Sequence, residues 1–272
     1  MGVVVGDRTA FIGVGVMGEA ILAGLLRAGR GADEFVVGVR RPERGAELAE
    51  KYGVEVLANI EAAALADTIV LGMKPQDLGG ALEEFASVLR PGQLLVSLAA
   101  GLTTAFIESR VPEGVAVVRV MPNTPATVDE GMHAISAGSH CDEAHLAEAE
   151  ALMAATGHVI RIAEKLQDAV TAVSGSGPAY VFYVVEAMID AGVLLGLPRP
   201  IATELAVQTL YGSATMLRET RTHPTVLREQ VTSPGGTTAA ALRTLEDHKV
   251  KAAFISAMEA CRDRAEQLAS GK

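Results

Sequence analysis

Short apolar runs alternate with stretches of helical periodicity between residues 9 and 162. Several of these runs, such as residues 68–71, are almost entirely apolar, which is typical of strands buried on both faces of a parallel sheet. The pattern predicts strands at residues 9–12, 34–39, 54–57, 68–71, 94–98, 115–120, 132–137 and 158–162. Strands that alternate with helices predict an α/β fold with a doubly wound sheet, which binds ligands at the carboxyl ends of its strands.

A glycine-rich turn follows the first predicted strand and opens a predicted helix. Gly13, Gly15 and Gly18 form the pattern GxGxxG. We expect Gly13 to allow the tight turn, Gly15 to let backbone N–H groups approach a pyrophosphate, and Gly18 to let the helix pack close to the strand. With a strand before it and a helix after it, the motif predicts a dinucleotide site.

Two arginines, Arg40 and Arg41, end the second predicted strand. A fold that binds NAD usually has an acidic residue near this position, on the ribose hydroxyls, whereas arginine suits the 2′-phosphate of NADP. Because no acidic residue stands here, we expect NADPH as the cofactor, with NADH as the alternative.

Helical periodicity dominates the chain from residue 164 onward, with helices predicted over residues 179–195 and 200–220. The first of these is apolar nearly all round, which indicates burial on every side. A small helical domain could hardly cover such a helix, so we expect a homodimer or a larger assembly through this half. Two domains are therefore predicted, an α/β dinucleotide-binding domain at residues 1–163 and a helical domain at residues 164–272.

Composition narrows the class of protein. Hydrophobic residues make up 49% of the 272 residues, charged residues 21%, and the formal net charge is -10. The negative charge argues against a nucleic-acid surface, which needs clustered lysine and arginine. No uninterrupted apolar run approaches the length of a membrane span, and no targeting segment stands out, so we expect a cytoplasmic protein. The two cysteines, Cys141 and Cys261, lie far apart in the sequence and give no disulfide framework.

Two further glycine-rich segments lie in the helical half, at residues 175–180 and 231–238. In the second, paired glycines before a predicted helix would expose N–H donors able to bind a small carboxylate. The hydroxyls of Ser233, Thr237 and Thr238 would add further donors. A plain turn between helices is the alternative.

Five phrases in consistent order resemble the pyrroline-5-carboxylate reductase family: MKPQ at residues 73–76, AAG at 99–101, RVMPNTP at 119–125, GSGPAY at 175–180 and VTSPGGTT at 231–238. The resemblance extends from about residue 8 to about residue 268. It implies the last step of proline synthesis, in which NAD(P)H gives a hydride to the C=N bond of 1-pyrroline-5-carboxylate to make L-proline. It also implies that residues 1–163 form a Rossmann-like NAD(P)-binding domain and that residues 164–272 form an all-helical domain for substrate binding and dimerisation. In the family this helical domain interlocks dimers, often in a ring of five dimers.

The resemblance also implies roles for individual residues. Thr238 would be catalytic, its hydroxyl bonded to the ring nitrogen of the substrate. The substrate-binding residues would be Glu164, Ser233, Gly236, Thr237 and Thr238. The cofactor-binding residues would be Gly13, Val14, Gly15, Val16, Met17, Gly18, Arg40, Arg41, Asn59, Met73, Lys74, Pro75 and Ala100. The chain departs from the family at Gln230, where some relatives have an asparagine that touches the cofactor, and at residues 248–249, where a turn containing glycine is common.

Other protein classes share parts of this pattern. A β-hydroxyacid dehydrogenase has a similar domain order, but Val181 stands where its catalytic lysine would be. A reductase of another cyclic imine and a non-catalytic NADP-sensing protein remain as alternatives. The cluster His140, Cys141, Asp142, Glu143 and His145 matches no zinc pattern, and we expect no metal, with Ser139 or Asp142 capping the next helix. Asn59 is likewise expected to cap the helix that follows it.

Overall fold

A computed structural model describes residues 8–269, so the outer ends of both predicted domains lie outside the described residues. The chain forms two compact units. The first runs to Ser176 and includes the chain from Cys261 onward, and the second is Gly177–Ala260. The domain boundary expected between residues 163 and 164 stays a prediction.

The first unit is built on an eight-stranded sheet with the order β3-β2-β1-β4-β5-β6-β7-β8. The strands are β1 (Thr9–Ile12), β2 (Phe35–Gly38), β3 (Glu55–Leu57), β4 (Thr68–Leu71), β5 (Leu94–Ser97), β6 (Ala116–Met121), β7 (Gly131–Ala137) and β8 (Gly157–Arg161). Strands β1 to β6 are parallel, β7 runs antiparallel to β6, and β8 is parallel to β7. The predicted doubly wound α/β sheet is confirmed, and all eight predicted strands are present within one or two residues.

Helices cover both faces of this sheet because successive strand residues point to opposite sides. In β1, Phe11 belongs to one apolar cluster, whereas Ala10 and Ile12 belong to the other. The helices of the first unit are α1 (Val16–Arg27), α2 (Pro42–Tyr52), α3 (Asn59–Leu65), α4 (Pro75–Phe85), α5 (Thr104–Glu108), α6 (Glu143–Ala154) and α7 (Gln167–Val170), followed by a π-helical turn at Thr171–Gly175. Burial on both faces explains why the central strands read as almost continuous apolar runs.

Charged residues lie on both outer strands of the sheet. β3 has only three residues, and its Glu55 pairs with Arg8 at 3.0 Å. At the opposite edge, Arg161 of β8 forms ion pairs with Glu143 at 2.5 Å and with Glu150 at 2.6 Å.

The second unit is helical. It contains α8 (Gly177–Leu194), α9 (Arg199–Thr220), α10 (Pro224–Gln230) and α11 (Thr237–Asp247), and α12 (Val250–Ala269) begins in it. The apolar residues of α8 are not buried within one chain, since Phe182 is 64% exposed and Leu194 is 88% exposed. The continuous stretch Glu164–Leu194 is also long and apolar enough to cross a membrane by length and composition, a test that core helices of soluble proteins pass as well. Within the described residues, α8 therefore leaves an apolar surface uncovered.

Local capping differs from the sequence-based expectation at one residue. Asn59 was expected to cap α3, and this is wrong: the helix starts at Asn59 itself, and Glu61 accepts the N–H of the preceding Ala58 at 3.2 Å. The Asn59 amide instead donates to Glu84 at 3.2 Å. For α6, the structure selects Asp142 as the cap, which accepts the N–H of His145 at 3.0 Å.

Residues 248–249, where the chain differs from the family pattern, include one residue in a left-handed backbone conformation. Lys249, between α11 and α12, has a φ of 56°, in the left-handed region that glycine adopts without strain. The chain therefore keeps the turn geometry that a glycine would favour, with a lysine at that position.

A buried histidine makes stability depend on pH. His133 of β7 is fully buried, with Nε2 3.0 Å from the hydroxyl of Thr156, which itself donates to the carbonyl of Met153. Nε2 is thus the protonated nitrogen, and Nδ1 is buried without a partner among the described residues. Burial lowers the pKa of His133, because a second proton would leave a buried charge.

The unfolded chain will take up this proton first, near pH 6.5, so the stability contributed by neutral His133 is lost as pH falls below that value. We expect the free energy of unfolding in urea to drop by about 1 kcal/mol more between pH 7.5 and pH 5.5 in the wild type than in His133→Gln. Equal drops in the two proteins would contradict this assignment.

Candidate functional site

The glycine-rich turn lies at the carboxyl end of β1 and touches the turn after β4. Gly13 has a φ of 77°, and its N–H donates to the carbonyl of Gly38 at 3.0 Å. A β-carbon at Gly13 would lie 2.8 Å from that of Met73, and a β-carbon at Gly72 would lie 2.9 Å from the carbonyl oxygen of Gly13. The two turns therefore meet backbone to backbone, at the point where strand order changes direction in the sheet.

Gly15 is the N-cap of α1 and has no side chain with which to cap it. A β-carbon on Gly15 would have only the carbonyl oxygen of Gly72 nearby, at 3.8 Å, so the space beside the start of α1 is open. The first N–H groups of a helix have no partner within the helix, and they attract anions. Val16, at the start of α1, is 75% exposed, whereas Val14 is buried in the core and could reach a ligand only through its backbone. This cradle fits the pyrophosphate of a dinucleotide.

The expected role of Gly18 is only partly met. A β-carbon there would make ordinary contacts of 3.9 Å with Gly13 and Gly72. The tight position in this crossing is Gly72, which sequence reasoning missed because its neighbour is distant in sequence.

An ion-pair cluster joins the glycine turn to α2. Glu19 of α1 bonds to Arg44, and it accepts from Lys51 Nζ and from the Tyr52 hydroxyl, both at 2.8 Å. Partial burial acts to raise the pKa of Glu19, but these hydrogen bonds outweigh it and lower the pKa to about 2. Arg44 also donates to the carbonyl of Val14 at 3.4 Å. Sequence reasoning missed this cluster, which fixes the turn to the helix that follows β2.

The two arginines predicted to select the cofactor lie after β2. Both are exposed; Arg40 is 3.5 Å from Asp77, and Arg41 is the N-cap of α2. Among the described residues, Arg41 has no ion-pair partner. It is therefore free to meet an added phosphate.

A cavity of about 430 Å³ opens at the carboxyl ends of β4 and β5. Its walls contain two of the predicted cofactor residues, Pro75 and Ala100. The remaining lining residues are Gln76, Gly101, Leu102, Thr171, Ala265 and Leu268. Met73 and Lys74 precede Pro75 in the same turn, and Lys74 is the N-cap of α4. These four predicted cofactor residues therefore lie together at the carboxyl ends of the neighbouring strands β4 and β5.

Asn59 is the first residue of α3, which follows β3. It is buried, and its side-chain oxygen, which has no partner among the described residues, lies 2.7 Å from where a β-carbon on Gly38 would be. Its predicted contact with the cofactor stays a prediction.

Glu164 is part of a polar cluster around Arg119 of β6. Its carboxylate accepts the N–H of Thr104 at 2.7 Å and the Thr104 hydroxyl at 2.8 Å. Arg119 lies 3.4 Å from Glu164 and 3.6 Å from Asp168, and its side chain is only 6% exposed. Only Glu164 of this cluster was predicted to matter, as a substrate-binding residue.

A second side chain from the RVMPNTP motif anchors the π-helical turn. The Asn123 amide donates to the carbonyl of Ser174 at 3.1 Å, and its oxygen accepts the N–H of Met132 at 2.8 Å. A π-helical turn is uncommon and often marks a functional site. The turn immediately precedes Ser176, whose hydroxyl accepts from the thiol of Cys261 at 3.3 Å.

In the second unit, the SPGG segment forms a tight turn before α11. The N–H of Gly236 donates to the carbonyl of Ser233 at 3.0 Å, and Gly235 has a φ of 70°. Proline second and glycine third is the pattern of a type II turn. Gly236 is then the N-cap of α11, without a side-chain cap, and Thr237 and Thr238 occupy its first turn. The first N–H groups of α11 and the two hydroxyls thus stand together, and their binding of a carboxylate stays a prediction.

Within residues 8–269, no group of three or more His, Cys, Asp or Glu residues is placed to hold a metal ion. The cluster at residues 140–145 serves the start of α6, where Asp142 and His145 bond to each other's backbone N–H groups.

Comparisons with known proteins assign both halves of the chain. Residues 164–268 match the family model for pyrroline-5-carboxylate reductase dimerisation, and residues 8–101 match the model for NADP oxidoreductase, coenzyme F420-dependent. A pyrroline-5-carboxylate reductase from Corynebacterium melassecola is 44% identical, over 95% of this chain and 97% of its own length. Another from Synechocystis is also 44% identical, over 96% of this chain and 98% of its own length.

Solved structures agree over nearly the whole fold. The pyrroline-5-carboxylate reductase of Coxiella burnetii is similar with a TM-score of 0.92 and 37% identity, covering 96% of this chain and 98% of that one. The Plasmodium falciparum pyrroline carboxylate reductase, solved with NADP bound, has a TM-score of 0.87 and 30% identity, covering 97% and 98%.

Substitution of two glycines in the same turn will distinguish a position that requires glycine from one that tolerates a side chain. Gly13→Ala places a β-carbon against Met73 at a positive φ, and we expect it to lower the free energy of unfolding by about 3 kcal/mol or more. Gly15→Ala meets open space and should cost less than about 1 kcal/mol. Urea unfolding followed by circular dichroism measures both, and similar losses in the two variants would contradict the geometry.

Proposed function

The chain belongs to the pyrroline-5-carboxylate reductase family, and we propose that it reduces the C=N bond of 1-pyrroline-5-carboxylate with a nicotinamide cofactor to give L-proline. This is the last step of proline biosynthesis. The observation that carries the proposal is the pair of anion-binding helix starts: α1 after GxGxxG, suited to a dinucleotide, and α11 after SPGG, suited to a small carboxylate.

We propose NADPH as the preferred cofactor. Support comes from the absence of an acidic residue after β2 and from the two exposed arginines there, together with the NADP that the Plasmodium relative binds. The pyrophosphate would lie on the N–H groups of residues 16–18, Arg41 and Arg40 would meet the 2′-phosphate, and the nicotinamide end would enter the cavity beside Pro75 and Ala100.

On the substrate side, the first turn of α11 would hold the carboxylate, through Ser233, Gly236 and Thr237. The hydroxyl of Thr238 would bond to the ring nitrogen. The bound nicotinamide supplies the hydride. A protonated imine is already electrophilic, so correct placement of the ring supplies much of the catalysis, and a strongly acidic side chain is not needed. Because a threonine hydroxyl does not titrate near neutral pH, Thr238 would position the nitrogen and would relay to the neutral imine a proton that solvent water supplies.

We propose that α8 and the neighbouring helices are covered by a second copy of the chain, in a homodimer from which a ring of five dimers could be built. The exposed apolar side chains of α8 and the dimerisation family that residues 164–268 match support this over a membrane. A cytoplasmic location, without nucleic acid as a partner, fits the two free thiols and the net charge of -10.

Two other functions are tested by the same assay. A reductase of a larger cyclic imine would use the same cofactor site with a wider substrate pocket. A protein that senses NADP would bind the cofactor without turnover.

The defining experiment follows the absorbance of NADPH and of NADH with purified protein and 1-pyrroline-5-carboxylate, and detects L-proline by chiral chromatography. We expect turnover with both cofactors and a higher kcat/KM with NADPH. Arg41→Ala should lower the NADPH to NADH ratio of kcat/KM by about tenfold, because it removes a charged partner of the 2′-phosphate. Arg40→Ala is the matched comparison and should change the ratio less, since Arg40 faces Asp77. A wild-type protein that binds NADPH without consuming it would overturn the reductase proposal.

Loss of the Thr238 hydroxyl should reduce turnover without unfolding the protein. We expect Thr238→Ala to lower kcat by about tenfold or more, while Thr238→Ser retains most activity. Thr244→Ala is the control, since it removes a hydroxyl of the same helix that bonds to the carbonyl of Ala240. Unchanged kcat/KM in Thr238→Ala, with the melting temperature also unchanged, would remove Thr238 from the mechanism.

A further inference from the structure

Arg119 supports both walls of the cavity at the ends of β4 and β5. It lies in the interior of the sheet, paired with Ser97 of β5, and it faces the carboxylates of Glu164 and Asp168. Burial of an unpaired guanidinium is strongly unfavourable, so these two carboxylates are held at fixed places on the sheet.

The wall formed by Ala100, Gly101 and Leu102, here called the loop wall, is fixed through Glu164. Thr104 gives both its N–H and its hydroxyl to this carboxylate, and it follows closely after Ala100, Gly101 and Leu102, which line the cavity. Two hydrogen bonds from one residue to the two oxygens of one carboxylate fix that residue in position and in orientation. The path of the loop is therefore set by a side chain sixty positions away in sequence.

The wall that contains Thr171, here called the helical wall, is fixed through Asp168. It lies one helical turn after Glu164 and about one turn before Thr171, which lines the cavity. The neighbouring Gln167 is fully buried and donates to the carbonyl of Ala134 at 3.2 Å and to the Ser136 hydroxyl at 2.8 Å. This segment is thus tied to β7, the strand beside the β6 strand that carries Arg119.

We propose that Arg119, Glu164 and Thr104 are positioning residues that set the gap between the two cavity walls and thereby the affinity for the dinucleotide. The inference rests on the proposed function, in which the nicotinamide end enters this cavity. It also gives Glu164 a task other than substrate contact, since both of its oxygens already accept hydrogen bonds from Thr104.

The test measures NADPH dissociation constants by fluorescence titration without substrate, so that binding is read independently of turnover. Thr104→Val removes the hydroxyl and keeps the shape, and Glu164→Gln removes the charge. We expect each to weaken NADPH binding by about five- to tenfold, and the double variant to be no weaker than either single one, because both break one linkage. Arg119→Lys should weaken binding to a similar degree.

Two controls separate positioning from general stability. Thr104→Ser keeps the hydroxyl and should restore binding to within about twofold of wild type. Ser109→Ala removes a hydroxyl at the far end of α5, which bonds to the carbonyl of Phe106, and should leave NADPH binding unchanged.

The positioning role is overturned if Thr104→Val and Glu164→Gln bind NADPH like the wild type, including the case in which Glu164→Gln raises only the KM for the substrate. A wild-type protein that binds NADPH but reduces no imine overturns the proposed reaction alone, because the comparison of binding constants still decides the role of these residues. A wild-type protein that binds neither nicotinamide cofactor overturns both.

Discussion

The backbone contact between the turns after β1 and β4 is the constraint on which the candidate cofactor site depends. Gly13 and Gly72 approach so closely that a β-carbon on either would lie within 3 Å of atoms of the opposing turn. This absence of side chains brings the end of β1 against the end of β4 and leaves the start of α1 open. The cradle for a pyrophosphate is thus a consequence of how two strands end. The ion pairs around Glu19 then fix α2 against α1.

Local patterns in the sequence predicted most of this architecture. Strands β4 and β5 could be recognised because burial on both faces leaves almost no polar residues in them, and the turn before α1 could be recognised because its glycines lie between an apolar run and a helical pattern. The expected cap at Asn59 failed because capping depends on where the helix begins to within one residue. Glu61 satisfied the neighbouring N–H instead.

Features that depend on contacts distant in sequence could not be predicted. Nothing in the residues around Arg119 indicates that it faces Glu164, and nothing near Asn123 indicates a bond to the π-helical turn. The similarity to known reductases marked Glu164 as important without indicating its partners. The glycine turn after β1 and the turn at Ser233–Gly236 were both anticipated from glycine placement, since the conformations that glycine allows are a local property.

The charged edges of the sheet limit how copies of the chain can associate. An outer strand with free N–H and carbonyl groups invites pairing with another strand, and short strands with fixed charges oppose it. Here β3 is too short to template a partner, and Arg161 holds two glutamates beside β8. Growth by extension of the sheet is therefore disfavoured, which protects the folded chain from fibre-like aggregation.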